Sequence, residues 1–239
     1  MQQHYDQYTT EDHAVWQILF ERQVKNLQGK ACDLYLDKLE ALAPALQAKA
    51  VPRFDDLNAV LLSATGWQIH VVPGLIPPAD FFALLADRRF CSSTWLRTRA
   101  QLDYLEEPDM FHDIFGHVPL LMDTGYADMM QQIGELGVAA AHDPEKLDEI
   151  ERLYWFTIEF GVLQRGDERQ IYGAGILSSF GEAKEIVEPE AIIKPWDVKE
   201  LMQTPFDKSM IQPYYYGLPD WETLPKVIAE IWHSTQVSV

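Results

Sequence analysis

The chain has 239 residues, 47% of them apolar and 23% charged, a balance that excludes disordered, collagenous and low-complexity chains and leaves enough apolar side chains for one buried core. Its 37 acidic residues outnumber 19 basic ones and set the net charge at −18, which argues against nucleic acid and anionic lipid surfaces as partners. No run approaches the roughly 20 apolar residues that cross a bilayer, and the start carries no secretory pattern, so a cytoplasmic protein without a membrane is expected.

Helical patterns dominate the chain. Thr10 is placed to cap a helix with Val15, Ile18 and Leu19 on one face, running to Gly29. Leu34 to Leu46 predicts further short helix interrupted at Pro44, and Asp55 to Ala64 another, closed by Gly66. WQIHVV, from Trp67 to Val72, alternates and is rich in branched residues, which predicts a short strand. The turn-prone PGLIPP follows, then a helix over about Ala79 to Ala86. Phe90 to Leu96 suits extended chain. Pro108 suits the first turn of a helix through MFHDIFGH, with Gly116 and Pro119 bracketing its end. Tyr126 to Ala141 and Glu145 to Leu163 both show helical spacing. RQIYGAGILSS, after Gly166, reads as a short strand or loop passing close to another segment. Asp220 to Gln236 closes the chain as a helix with no sustained heptad, so no coiled-coil tail is expected and a monomer is favoured. The sum is a mainly α fold with a few short β-strands, in one domain over residues 1–239.

Cys32 and Cys91 have neither close spacing nor neighbouring histidines and read as two buried free thiols. His4, His13, His70, His142 and His233 are scattered and expected to face solvent. His112 and His117 are different, because they sit five residues apart in the apolar string EPDMFHDIFGHVPLL. On an ideal α-helix five residues turn through about 140°, so the two rings converge only if the helix distorts or ends between them. Glu159 lies in the apolar stretch YWFTIEFG, where an unpaired carboxylate is costly and a metal ion would compensate it. Two imidazoles and a carboxylate fit either a catalytic zinc or the facial set of a non-haem iron(II) site, and ligand type alone does not separate them. The HExxH protease motif is absent. The bland alternative makes both histidines ordinary hydrogen-bonded residues and pairs Glu159 with an arginine.

EPDMFHDIFGHVPLL, YWFTIEFG and YGAGILSSFGE, in that order, resemble the catalytic domain of the pterin-dependent aromatic amino acid hydroxylases, from about Trp16 to the QPYYY that ends at Tyr216. The chain, short for that family and without a regulatory domain or tetramerisation helix, is most similar to its bacterial, phenylalanine-hydroxylating branch. The resemblance implies Fe(II), a tetrahydropterin such as tetrahydrobiopterin, O2 and L-phenylalanine, with L-tyrosine as product. It implies His112, His117 and Glu159 as iron ligands, Arg97 as the grip on the substrate carboxylate and Asp109 as the acid that holds Arg97. Pro108, Trp155, Phe160 and Gly175 match pocket walls, and Ser178 lies at the substrate end beside a ligand histidine. Gly74, Leu75, Ile76 and Phe81 match the pterin loop, with Asp113 and Tyr154 bordering it. Pro78, Leu105 and Lys208 depart from the family pattern, and Trp155 argues against a tryptophan hydroxylase. Two other classes remain open beside this one: a zinc hydrolase on the same three residues, and a metal-stabilised binding module without activity.

Overall fold

The structure, a computed structural model, describes residues 1–103, 105, 107–208 and 210–237, the last four by backbone alone. Helix α1, Thr10–Leu27, is opened by Thr9 rather than Thr10. The Thr9 hydroxyl accepts from the Asp12 N–H at 3.2 Å while the Asp12 carboxylate accepts from the Thr9 N–H at 2.7 Å, a reciprocal cap that Thr10 cannot form because His13 stands three residues after it. Helix α2, Asp33–Ala41, is shorter than expected. Pro44 has no N–H to return to residue 40 and disfavours helical backbone at residue 43, so the chain leaves the helix before it. Helix α3, Phe54–Ala64, ends as expected at Gly66, whose φ of +78° is left-handed.

Strands β1, Gln68–Val71, and β2, Arg89–Ser92, pair in parallel across α4, Pro78–Ala86, with Ile69 opposite Phe90. The helix expected from Pro108 starts later, since Pro108 and Asp109 precede it and residues 110 and 111 are its first turn. Nor does it end at Gly116. His112–His117 is a π-helical segment that continues into α5, Val118–Leu121, with Pro119 absorbed in the first turn of α5.

Helix α6, Thr124–Ala140, is followed by α7, Pro144–Tyr154, and α7 passes into a second π-helical segment, Trp155–Glu159. The helix expected to reach Leu163 therefore stops earlier. Val162 and Leu163 belong to β3, Val162–Arg165, which turns at Gly166 into β4, Glu168–Ile171. Short helix α8, Ala174–Ser178, lies where only a strand or loop was expected, and a second short helix, α9, Glu182–Glu185, follows it. Strand β5, Ile193–Pro195, helix α10, Val198–Gln203, strand β6, Tyr215–Leu218, and helix α11, Thr223–Val237, complete the chain. The second sheet runs β4-β3-β6-β5, with β6 parallel to both neighbours. The mainly α architecture with few short strands is as the sequence implies. Among the described residues no helix is long and apolar enough to cross a membrane.

The core lies directly under the two π-helical segments. Trp16 and Phe20 of α1 meet Phe111 and Phe115 edge-on at 5.4 and 5.2 Å, and the Tyr35 hydroxyl donates to the Phe115 carbonyl at 2.7 Å. From the same helix the buried amide of Gln23 donates to the carbonyls of Leu177 and Ser179, and Asn26 to that of Phe180. Helix α1 thus holds the turn behind α8 by its backbone. Gly116 lets α8 lie against the first π-helical segment, since a Cβ there would meet the Ala174 carbonyl oxygen at 2.8 Å. Both cysteines are free, Cys32 buried and Cys91 half-buried. His4, His142 and His233 are exposed as expected, but His13 and His70 are half-buried, and His13 Nδ1 accepts from the Val51 N–H at 3.1 Å.

Candidate active site

A helix with i→i+5 hydrogen bonding has one more residue per turn's bond than an α-helix, so residues five apart come to lie one above the other. This widening resolves the conflict posed by the spacing of His112 and His117. Their Nε2 atoms lie 3.3 Å apart. The second widened segment, closed by a hydrogen bond from the Phe160 N–H to the Trp155 carbonyl at 3.0 Å, carries Glu159 to the same point. Glu159 Oε1 is 3.1 Å from His117 Nε2, and Oε2 is 3.5 Å from His112 Nε2. Ligand atoms about 2.1 Å from one ion and at tetrahedral or right angles to each other lie roughly 3.0–3.4 Å apart, so this triangle has the dimensions of one face of a metal site. No other such cluster of histidine, cysteine and carboxylate groups occurs among the described residues.

The protonation of the site follows from its hydrogen bonds. The Ser178 hydroxyl donates to the Ala174 carbonyl at 2.8 Å, so towards His112 Nδ1, 2.9 Å away, its oxygen accepts. His112 therefore carries its proton on Nδ1 and presents the Nε2 lone pair to the centre. Burial pushes the His112 pKa down to about 4, which keeps the ring neutral as a ligand must be. Burial alone would raise Glu159, but the two imidazoles and the Tyr154 hydroxyl outweigh it and hold the carboxylate down, at about 2. Replacing Ser178 with alanine frees the tautomer. Ser178→Ala is expected to weaken metal binding by about 10- to 100-fold, with a stability change of only about 1 kcal/mol, read by chelator competition and thermal melting.

The three groups face a cavity of about 380 Å³. Arg97, on its wall, is 9% exposed and makes a two-pronged pair with Asp109, which is fully buried: Nε to Oδ2 at 2.9 Å and Nη2 to Oδ1 at 2.8 Å. Asp109 also accepts from the N–H groups of Arg97 and His112, so one carboxylate sets the guanidinium and caps the helix that bears the histidines. Pro108, Trp155, Phe160, Gly175 and Ser178 line the cavity, as do Gly74, Leu75, Ile76, Phe81, Asp113 and Tyr154. Among the residues singled out from sequence, only Asp109 stands behind the wall rather than on it. Phe81 meets Tyr154 edge-on at 5.0 Å. Asp113 accepts from the Ser93 N–H at 2.9 Å, and its carboxyl pKa is raised well above the ordinary range by burial. Pro78, Leu105 and Lys208 also face the cavity, and Lys208 pairs with Glu151 at 2.9 Å.

Sequence reasoning missed Glu182, although it closes the quoted string YGAGILSSFGE. It is 7% exposed on the cavity wall and accepts, at 3.4 Å each, from the Gln212 N–H and the Tyr215 hydroxyl. A carboxylate set among apolar and small residues was the signal available. Burial, with Glu185 nearby, pushes its pKa up to about 7 from 4.5. The folded state therefore keeps a proton that the unfolded chain releases from pH 4.5 upward. Stability falls as pH rises between these values, and the penalty is complete above pH 7. Glu182→Gln is expected to remove that slope and to raise stability at pH 8 by up to about 3 kcal/mol, measured by urea unfolding from pH 4.5 to 8.

The sequence model of the family described as "Biopterin-dependent aromatic amino acid hydroxylase" matches residues 4–232. The phenylalanine-4-hydroxylase of Ralstonia nicotianae is 46% identical over 227 residues, covering 94% of this chain and 71% of that protein. Among solved structures, phenylalanine hydroxylase of Chromobacterium violaceum with bound oxidised Fe(III) superposes with a TM-score of 0.92 at 41% identity, covering 100% of this chain and 86% of the other. A second structure of that enzyme, with iron(III) and oxidised 7,8-dihydrobiopterin, gives 0.90 at 42% identity, covering 98% and 85%. The zinc-hydrolase alternative finds no support in these relatives.

Proposed function

Because the chain belongs to the biopterin-dependent aromatic amino acid hydroxylases, we propose that it is a phenylalanine 4-monooxygenase, converting L-phenylalanine to L-tyrosine with O2 and tetrahydrobiopterin or another tetrahydropterin at a non-haem Fe(II) centre. The observation that carries this reading is the meeting of His112, His117 and Glu159, their ligand atoms all within 4.8 Å, at a cavity that also presents a buried arginine. Iron and reduced pterin together supply the activation of oxygen when bound.

The chain's own residues hold and orient. His112, His117 and Glu159 would hold the ion, with no fourth protein ligand beside them among the described residues to close the side that faces the cavity. Arg97, fixed by Asp109, offers the rest of its planar fork to the substrate carboxylate, since Asp109 uses two of its five N–H donors. With the carboxylate anchored there, Pro108, Trp155, Phe160 and Gly175 enclose the ring, and Ser178 keeps His112 in its ligand tautomer. Gly74, Leu75 and Ile76 present backbone to the pterin, Phe81 stacks on it, and Asp113 and Tyr154 border it. Pro78, with neither N–H nor hydroxyl to give, leaves that part of the pterin pocket to shape alone. The apolar walls exclude water from the reacting centre. In this reading residues 1–239 serve as one catalytic domain, working in the cytoplasm as a monomer.

The test is the iron-loaded protein supplied with L-phenylalanine and a reduced pterin. Tyrosine formation and oxygen uptake that require both additions are expected, and their absence overturns the assignment.

A further inference from the structure

Gln212 lies behind the cavity wall, 6% exposed, yet two parts of that wall hang on its amide. Its Oε1 accepts from Trp155 Nε1 at 3.1 Å, and its Nε2 donates to the carbonyls of Asp207 and Met210 at 3.2 and 3.0 Å. The orientation is forced. An indole N–H only donates and carbonyls only accept, so the amide oxygen must face Trp155 and the nitrogen the chain around Lys208. Its own backbone N–H is tied to Glu182 at 3.4 Å. Trp155 on one side, and Lys208, Met210 and Ile211 on the other, line the cavity. The Trp155 ring is further fixed by stacking on Phe206 at 4.3 Å and by a tilted contact with Phe160 at 4.7 Å.

We propose that Gln212 is a positioning residue for substrate specificity: one amide locks the plane of Trp155 to the rim formed by residues 207–208 and 210–211, and so sets the width of the slot that receives the substrate ring. The inference rests on the reading of the cavity as a phenylalanine site. The metal-ligating groups and the loop Gly74 to Phe81 make no hydrogen bond to this amide, so its loss acts on the amino acid substrate and leaves iron and pterin alone.

Gln212→Met keeps the length of the side chain and removes all three amide hydrogen bonds. It is expected to raise the KM for phenylalanine about tenfold, the equivalent of one buried hydrogen bond to a positioned ring, and to shift the ratio of kcat/KM for L-tryptophan over L-phenylalanine towards the larger ring. The KM for tetrahydropterin and the iron content should stay within about twofold, since neither site is touched. A KM for pterin that climbs in step with that for phenylalanine marks a general loss of structure and overturns the proposal, as does an unchanged ratio. Gln212→Glu keeps an acceptor for Trp155 Nε1 and loses both donors to the carbonyls of Asp207 and Met210, so it decides the matter should Gln212→Met not fold; it must shift the ratio in the same direction, and no shift overturns the proposal. A wild-type protein that forms no tyrosine removes the functional reading, and this inference with it, whereas an active wild type with insensitive variants removes the inference alone.

Discussion

Glu159→Gln is expected to abolish iron retention and to lower tyrosine formation by at least about a thousandfold while the chain still folds. Glutamine has the same shape but brings no charge, and its amide oxygen is a poor substitute for a carboxylate between two neutral imidazoles. The effect on stability separates loss of metal from loss of fold. An ion that binds only the native state stabilises it by about 4 kcal/mol at a thousandfold excess over its Kd. Wild-type protein should therefore melt at a clearly higher temperature with Fe(II) than without, and the variant should melt at one temperature in both conditions. Stoichiometric iron in the purified variant, or undiminished turnover, would sink the assignment of Glu159 as a ligand.

Arg97→Ala carries the second large effect, and it acts on two quantities together. Asp109 is fully buried and loses both side-chain donors, keeping only the N–H groups of residue 97 and His112. Stranding one member of a buried pair costs about 3–5 kcal/mol, and the two remaining backbone donors place this case at the lower end. In the proposed reading the guanidinium is also the charged partner of the substrate carboxylate, so the KM for phenylalanine should rise by about a hundredfold or more with the pterin KM little changed. Arg97→Lys retains the charge without the flat fork and should fall between the two on both measurements. Urea unfolding together with steady-state kinetics checks both, and an alanine variant with stability within about 0.5 kcal/mol of wild type would show that the pair does not matter to the fold.

What could be read from the chain beforehand divides along physical lines. The proposed ligands were visible because their surroundings made them anomalous, as two imidazoles and a carboxylate in apolar strings demand compensation. The five-residue spacing showed that His112 and His117 could converge only if the helix between them distorted or ended, but not which of the two occurs. A widened turn has no residue preference of its own, whereas Gly116 and Pro119 resemble a stop, so ending was the natural expectation and widening the outcome. The overrun to Leu163 has a similar cause, since Val162 and Leu163 continue the apolar pattern of α7 and only Gly161 between them and Glu159 marks the break. Strand β6 was missed because YYGL is buried throughout, so no alternation betrays a strand. Gln23, Asn26 and Gln212 were invisible for a different reason. An amide in sequence reads as surface, and its worth appears only when distant carbonyls close around it.

The π-helical turns on which the ligands ride have a bearing on how such a centre arises. A stretch of helix that gains one amino acid can swallow it as a local bulge, leaving the flanking turns seated on the same neighbours. In the first segment the bulge changes the histidine spacing from four residues, about 40° apart on a regular helix, to five, and the pair converges either way. In the second segment the same slip turns Glu159 by about 100° relative to α7, towards or away from the two imidazoles. The meeting of the three groups is thus a matter of phase, and a single codon within Trp155–Glu159 can make or break it while the architecture persists.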